Sequence, residues 1–512
     1  MTAGALRPPA HRRHRFLLFV AVATWSIFTF TASGRLGSSD AEAMFNAARS
    51  LADHGSLDVG ACEPSDNHCV PGVDGRNYSG FGILPSLLSV PPLVAARALA
   101  RGDSAQRNAL ERFAVSMIVG PVTGALLVTE FSALVLGLGY RRRAALGMAA
   151  LLAIASPFWF YSAKGLYSEP LFALCLVAAL IAVSRDERPR GAVLAGLLFG
   201  AAMLTRLVGV ILLPAFAGLA RRSAWRRTLG FGAAVGTVGL LVAYLNYSRF
   251  GSPLRTGYHL LFPTAAAMFS TPWSVGLRGL LFDGTAGLLW FFPVSLFAPA
   301  AWRAFHRRHR DLAVVVAVAC ILQLLFFMKY TVWAGGWSVG PRMLLPVLPL
   351  LALPFVEWIA HPTRARRVGL AITLAWSAGM QALWVLPPHF RMFTLRDAHR
   401  AAGVESPADR SALVFAVTTA PRVLRYAAGT RTLDENERTL ETAPNAVNQL
   451  APDVWWIKAL VVGQSRALFG LAAAALAVLA IASARAAWRQ SADDPGDAPP
   501  GLSPIAARPG AA

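Results

Sequence analysis

The sequence predicts an all-α, polytopic membrane protein with about 12 transmembrane helices and with extracytoplasmic juxtamembrane helices in its first outer loop. Hydrophobic residues make up 55% of the 512 residues and charged residues only 15%, with a mean hydropathy of +0.49, which is too apolar for a soluble domain. The net charge of +21 comes largely from arginines that stand in short groups between apolar runs. That distribution is typical of cytoplasmic loops, so we expect no nucleic-acid partner.

The two ends of the chain are both expected in the cytoplasm, with the protein in the plasma membrane. Residues 1–15 form a basic tail before the first apolar run, and no convincing cleavage site follows Phe30, so that run is expected to be a retained helix. Residues 457–487 are expected to be the last transmembrane helix. Residues 488–512, rich in Ala, Pro, Gly and Asp, are expected to be a disordered cytoplasmic tail.

Basic linkers set the crossing pattern of the core, residues 16–386. For Arg141–Arg143 to lie in the cytoplasm, the proline-rich run 81–99 must not cross the membrane. The run 191–220, basic at both flanks, is expected to form two short helices that meet at Thr205 and Arg206. The predicted outer loops are then 34–112, 161–168, 247–284, 329–342 and 387–456, the last being a loop or a small cap.

The first outer loop carries the most conspicuous carboxylates, Asp40 and Glu42. Together they suit a general base and a supporting acid, although Asp40 as the N-cap of a surface helix is an open alternative. Cys62 and Cys69 in the same loop have a spacing that fits a small disulfide, as expected on an oxidising face.

A short outer loop offers Lys164, Tyr167 and Glu169 at the mouth of the following helix. Glu169 before Pro170 also fits an ordinary helix start, so capping and function stay open as alternatives. Arg206 stands between two intramembrane helices, where a guanidinium needs a partner or a wet cavity unless it reaches the interface. A lipid phosphate suits it because the guanidinium fork matches phosphate oxygens.

Two further outer segments contain weaker candidates. Trp337 and Arg342 flank a glycine-containing stretch that could stack on a sugar and hold a phosphate, while interfacial belt residues are the alternative. Tyr78 opens the non-crossing segment, and His259 lies in the third outer loop.

The order of these motifs resembles the GT-C superfamily of integral membrane glycosyltransferases, in the bacterial branch related to the protein mannosyltransferases and the aminoarabinose transferase. The resemblance covers residues 16 to about 390 and rests on Asp40 with Glu42, Tyr78-Ser-Gly-Phe-Gly-Ile-Leu-Pro85, Tyr167-Ser-Glu169-Pro170, Leu204-Thr-Arg206 and Gly335-Gly-Trp337-Ser-Val-Gly-Pro-Arg342. The chain departs from the usual pattern where Ala41 separates the two acids and where Ser79-Gly80 follows the tyrosine.

The resemblance implies transfer of a sugar from a polyprenyl-phosphate carrier to an acceptor hydroxyl or amine at the extracytoplasmic face. Asp40 would be the general base, with Glu42 or Glu169 orienting it. Lys164, Arg206 and Arg342 would neutralise the departing lipid phosphate. The further substrate-binding residues are expected to be Tyr78, Tyr167, His259 and Trp337.

The acceptor stays undetermined among glycans, lipids and proteins, and membrane lipids are the surrounding partners. Two carboxylates could hold one divalent ion, but nothing in the sequence requires a metal or another cofactor. A lipid or solute transporter, or flippase, is the main alternative function, and a non-catalytic membrane scaffold is the second. The concentration of polar residues on one side favours the enzyme over a carrier.

Overall fold

Helices build almost all of the structure, a computed structural model that describes residues 10–61, 69–185, 188–221, 225–258, 262, 264–430 and 446–492. Within these ranges the single sheet has two short antiparallel strands, β1 (Cys69–Pro71) and β2 (Asn77–Ser79), with Val70 opposite Tyr78. The all-α prediction is confirmed.

The first ten helices are α1 (Ala10–Phe30), α2 (Ser39–His54), α3 (Leu84–Leu99), α4 (Ser104–Gly137), α5 (Arg142–Ala153), α6 (Phe158–Ala163), α7 (Ser168–Arg185), α8 (Pro189–Thr205), α9 (Leu213–Arg221) and α10 (Trp225–Phe250). They are followed by α11 (Ala265–Met268), α12 (Trp273–Phe282), α13 (Leu288–Phe291), α14 (Ala298–Arg308), α15 (Arg310–Lys329), α16 (Leu348–Ala352), α17 (Val356–Ala360) and α18 (Arg364–Val385). The last are α19 (His389–Ala401), α20 (Pro407–Arg410), α21 (Ala412–Ala427), α22 (Ala446–Leu450), α23 (Trp455–Val461) and α24 (Arg466–Ala492). Short 3₁₀ segments span Leu207–Leu212, Pro293–Phe297, Arg342–Val347 and Leu353–Phe355.

The described chain contains six helical segments that are long and apolar enough to cross a membrane, which makes it an integral membrane protein. These segments are Ser104–Gly137, Trp225–Phe250, Arg310–Lys329, Arg342–Ala360, Arg364–Val385 and Arg466–Ala492. Shorter apolar helices accompany them, so the expected total of about 12 crossings stays a prediction.

The basic linkers gather at one end of the helix bundle, which we call the basic end. There the Tyr140 hydroxyl donates to Glu357, and the Arg143 guanidinium lies 5.5 Å from the centre of the Trp488 ring. Arg227 donates to the Val183 carbonyl over 2.7 Å, which joins the first turn of α10 to the last turn of α7. The opposite end, where α2 and α3 lie, is called the site end.

Helix α3 keeps both of its ends at the site end. Gly82, two residues before α3, packs against the backbone at the end of α8. A Cβ at this position would lie 2.5 Å from the Thr205 carbonyl oxygen. At the other end of α3, Arg97 pairs with Glu111 over 2.9 Å, near the start of α4, and with Asp53 of α2. The location of α2 and α3 agrees with the prediction of juxtamembrane helices in this loop.

The apolar run 191–220 breaks where the sequence predicted a reversal. Helix α8 ends at Thr205, and Arg206 adopts an extended backbone before a 3₁₀ turn and α9. Gly196 abuts Phe231 and Gly200 abuts Val238, so α8 and α10 run side by side in the same direction. Because α8 and α10 run in the same direction, the chain must return to the starting end after α8. Residues 207–221, which contain the 3₁₀ turn and α9, make this return.

Several apolar stretches of the sequence are not single continuous helices. Residues 343–360 alternate between 3₁₀ and α segments, because prolines 346, 349 and 354 remove backbone donors. Residues 144–160 and 285–302 are likewise interrupted. Helix α1 begins at Ala10 inside the predicted tail, and α24 continues to Ala492 beyond the predicted end at 487. Residues 493–512 lie outside the described ranges.

Candidate active site

Asp40 lies in the first turn of α2, but it does not cap that helix. The cap is Ser38, whose hydroxyl accepts a hydrogen bond from the Ala41 amide over 3.1 Å. The Asp40 carboxylate is therefore available for another role. It is buried and accepts a hydrogen bond from Nη2 of Arg342.

Arg342 joins Asp40 to a second carboxylate. Its Nε donates to Oε1 of Glu169 over 2.6 Å, and its Nη1 donates to the Gly335 carbonyl over 3.2 Å. The same Glu169 oxygen accepts from Nη1 of Arg206. We call Asp40, Arg342, Glu169 and Arg206 the charge ladder.

Each member of the charge ladder stands where a helix begins or ends. Glu169 lies in the first turn of α7, Arg206 follows α8, and Arg342 begins a 3₁₀ segment. Helix ends at one level of the bundle bring together residues as far apart as 302 positions in sequence. Two carboxylates and two guanidiniums balance formally, as buried charges require.

Glu169 is fully buried, and its second oxygen, Oε2, has no hydrogen-bond partner among the described residues. Nε of Arg206 is similarly unpartnered within the described part of the chain. A buried carboxylate oxygen and a buried guanidinium N–H that lack partners leave hydrogen-bonding capacity for a ligand or for water.

Tyr167 continues the network away from the ladder. The guanidinium carbon of Arg342 lies 5.3 Å from the centre of the Tyr167 ring, and the Tyr167 hydroxyl lies 3.1 Å from Nε2 of His389. Burial lowers the pKa of His389 to about 3, which keeps the imidazole neutral at neutral pH. The sequence did not indicate His389 as a site residue.

A second buried group surrounds Asp453. Its carboxylate accepts from Nε of Arg35 over 3.1 Å and from Lys458, and its backbone carbonyl accepts from Lys164. Burial alone would raise the pKa of Asp453, but the three cations hold it well below its usual range. This Asp453 cluster (Arg35, Lys164, Asp453 and Lys458) fastens the segment before α23 to the end of α1, where Trp455 donates to the Thr29 carbonyl over 2.9 Å.

Lys164 is thus used inside the protein. Its ammonium donates to the Thr31 carbonyl over 2.7 Å as well as to that of Asp453, and burial lowers its pKa to about 7. In the unfolded chain the same group titrates near pH 10.4. Between those values the unfolded chain binds a proton that the folded protein does not, so stability falls as the pH falls.

We therefore expect the wild type to lose stability relative to Lys164→Met as the pH is lowered from about 10 to about 7, with no further relative change below about pH 7. The measurement is the difference in Tm between the two purified proteins across this range. Hydrogen bonds lost in the variant shift the difference by a constant. A difference in Tm that does not depend on pH would contradict the lowered pKa of the buried Lys164 amine.

The remaining predicted residues are not members of the ladder. Glu42 pairs with Arg112 at a half-exposed position, and Tyr78 donates to Asp74 over 2.6 Å in the small hairpin. Trp337 is 46% exposed at the site end. His259 and Cys62 lie outside the described residues. Cys69 is disulfide-bonded, so its pairing with Cys62 stays a prediction.

A cavity opens beside the ladder, between the start of α3 and the ends of α8 and α10. Its polar side chains include Arg206, Asn246, Arg249 and Tyr258, and much of the remaining wall is apolar. Arg206 belongs to both the cavity and the ladder. Sequence reasoning missed Arg249, although its place in the last turn of a membrane helix is a signal for an interfacial cation.

No group of three or more His, Cys, Asp or Glu side chains within the described ranges is arranged to hold a metal ion. In the ladder the Arg342 side chain bridges Asp40 and Glu169. The two carboxylates are thus joined by a guanidinium, and no metal is needed to explain their proximity.

No protein family model and no curated protein matches the chain. Among solved structures it is similar to the aminoarabinose transferase ArnT from Cupriavidus metallidurans bound to undecaprenyl phosphate, with 15% identity, a TM-score of 0.45, and coverage of 93% of this chain and 75% of that one. The apo state of that protein has 16% identity and a TM-score of 0.44, with 93% of this chain and 74% of that one covered. The Archaeoglobus fulgidus oligosaccharyltransferase in its apo form gives 15% identity and a TM-score of 0.38, with 87% of this chain and 60% of that one covered. The aminoarabinose transferase named from the sequence motifs is thus among the structures that this chain resembles, and a likeness at this level does not by itself assign an activity.

Proposed function

We propose that the protein is a membrane glycosyltransferase that moves a sugar from a polyprenyl-phosphate carrier to an acceptor hydroxyl or amine at the extracytoplasmic face. The observation that carries the proposal is the charge ladder, in which a buried carboxylate, Asp40, is linked through Arg342 and Glu169 to a cation, Arg206, that also lines a cavity. Group transfer from a phosphate ester needs this combination of a base and cations for the leaving group.

Asp40 is assigned the role of general base. Its carboxylate takes the proton of the acceptor as the acceptor atom bonds to the anomeric carbon of the sugar. The bond between that carbon and the phosphate oxygen breaks, and its electron pair stays with the phosphate. Arg342 orients Asp40, and Glu169 in turn orients Arg342.

The lipid phosphate is assigned to the cavity beside the ladder. Arg206 and Arg249 would neutralise the charge that develops on the leaving phosphate, and the apolar wall would contact the polyprenyl chain. Lys164, expected from the sequence to share this work, is instead placed among backbone carbonyls, so we assign it a structural role. Glu42, turned toward Arg112, is not part of the proposed machinery.

The sidedness of the proposal follows from the separation of charges along the bundle. The ladder and the cavity lie at the site end, and the arginine-rich linkers lie at the basic end. Basic loops stay in the cytoplasm, so the site end faces outward and both termini are cytoplasmic.

Turnover of defined donors tests this function. Undecaprenyl phosphates carrying radiolabelled glucose, mannose or aminoarabinose are offered to the protein in sealed vesicles of known orientation. Three acceptor classes that cannot cross the bilayer are added outside: an acidic oligosaccharide, a lipid headgroup phosphosugar and a serine peptide. We expect label transfer with one donor and one acceptor, and only in vesicles that expose the site end.

Folded protein that turns over none of these donors would contradict the glycosyltransferase assignment. The same cavity would then be examined for lipid translocation, the function of the flippase alternative. Transfer only when the basic end is exposed would contradict the assigned orientation while leaving the reaction class intact.

A further inference from the structure

Three aromatic rings lie together at the site end and are called the aromatic strip: Trp337, Phe390 and Phe393. The Trp337 and Phe393 rings are stacked, with centroids 5.9 Å apart and an interplanar angle of 14°. Phe390 lies 6.1 Å from Trp337. Phe393 is buried in α19 and supports Trp337 from beneath, whereas nearly half of the Trp337 surface remains exposed.

The backbone before Trp337 holds this ring on the rim of the charge ladder. Gly335 and Gly336 both have positive φ values, +84° and +71°, a conformation that glycine adopts without strain. The Gly335 carbonyl accepts from Arg342, the residue that binds Asp40. The ring and the proposed base are therefore fixed through one arginine.

A second contact ties the strip to the same helix as Asp40. A Cβ on Gly37, three residues before Asp40, would lie 4.0 Å from the Phe390 ring. The strip thus approaches the ladder from α19 on one side and from the segment before α2 on the other. The strip is therefore linked to Asp40 by two routes, through Gly335 and Arg342 and through the segment that contains Gly37.

Arginines flank the strip at both ends. The Arg35 guanidinium carbon lies 5.9 Å from the centre of the Phe390 ring, and that of Arg396 lies 4.9 Å from the centre of Phe393. Nε of Arg396 is 3.7 Å from Asp397, too far for a hydrogen bond, and has no other partner among the described residues. At the Arg35 end three cations surround the single carboxylate of Asp453, so a ligand there meets an excess of positive charge. At the other end the charge of Arg396 is partly offset by Asp397.

We infer that the aromatic strip binds the acceptor, and that the acceptor is a saccharide carrying negative charge. Sugar rings expose apolar C–H faces that pack on an aromatic ring, and a carboxylate or phosphate on the sugar suits the flanking guanidiniums. This inference rests on the proposed function, because it names the acceptor class of the same site. An ordinary interfacial tryptophan is the competing explanation.

The test is saccharide binding to the purified full chain, measured by calorimetry with pentagalacturonate as the acidic probe and maltopentaose as the neutral one. We expect pentagalacturonate to bind more tightly than maltopentaose. Trp337→Ala should weaken that binding about three- to tenfold, and Trp337→Phe should restore most of it. Arg396→Gln should weaken the acidic probe only. Trp225→Ala, which removes another exposed tryptophan, at the start of α10, is the matched control and should change nothing.

Each outcome decides the inference. Unchanged affinity in Trp337→Ala, equal affinity for the two probes, or no binding of either probe to the wild type would overturn it. Binding is measured again with Asp40→Asn, which does not transfer sugar under the proposal. If binding depends on Trp337 but no donor is turned over, the proposed function alone is refuted. If donors are turned over and the KM for the acceptor is the same in Trp337→Ala as in the wild type, this inference alone is refuted.

Discussion

Replacing Asp40 by Asn is expected to lower sugar transfer about 10²- to 10⁴-fold, the usual contribution of a general base. Asparagine keeps the shape of the side chain and an oxygen that can accept from Arg342, but it cannot take the proton of the acceptor. The measurement is the initial rate with the donor that the wild type uses. Thermal unfolding of the variant shows whether it is folded.

Glu42→Gln is the matched control for this prediction. Glu42 lies two residues further along α2 and carries the same charge class, but it pairs with Arg112 at a half-exposed position. Its loss should change the rate little, since an exposed ion pair contributes about 1 kcal/mol or less. An Asp40→Asn protein with wild-type rates, or equal losses in both variants, would remove Asp40 from the role of base.

The largest expected loss of stability follows from Glu169→Gln. Glu169 is fully buried and is the shared acceptor for Arg206 and Arg342. The neutral amide would leave one guanidinium of the ladder without a compensating charge, at a cost of about 3–5 kcal/mol. Denaturant or thermal unfolding in detergent measures this cost, and transfer activity should fall with it.

Two comparisons separate this effect from a general loss of charge. Glu405→Gln removes an acid that pairs with Arg410 over 2.5 Å at a largely exposed position. This substitution should change the free energy of unfolding by no more than about 0.5 kcal/mol. Adding Arg206→Gln to Glu169→Gln should cost less than Arg206→Gln alone, because the two residues share one interaction. Additive losses would show that the buried pair is not coupled as the structure indicates.

Local sequence patterns predicted the candidate site only in part. They singled out Asp40, Glu169, Arg206 and Arg342, which the structure joins in one ladder, because each is a charged residue beside an apolar run. The same reasoning grouped Glu42 with Asp40, and on α2 the two side chains have different partners. A helix turns by about 100° per residue, so neighbours two positions apart point to different surroundings.

Other parts of the site have no local signal. Asp453 and His389 lie in a loop and in a helix with mixed charge, and only the contacts with Arg35 and Tyr167 reveal them. Lys164 shows the converse, since the family resemblance implied that it neutralises the lipid phosphate, whereas its ammonium donates to backbone carbonyls. A side chain's partners depend on which helix ends meet, and that information is not contained in its neighbours along the chain.

The sequence by itself determined that this is a helical membrane protein, and it predicted that the arginine-rich linkers share one face and that the first loop after α1 contains juxtamembrane helices. Composition and the period of apolar runs decide these properties, because they reflect transfer of whole segments from water to lipid. Only the tertiary structure decided that Asp40 binds Arg342 and that Arg206 lines a cavity. Those contacts join residues up to 302 positions apart, and buried charges accept only partners that packing brings within hydrogen-bond distance.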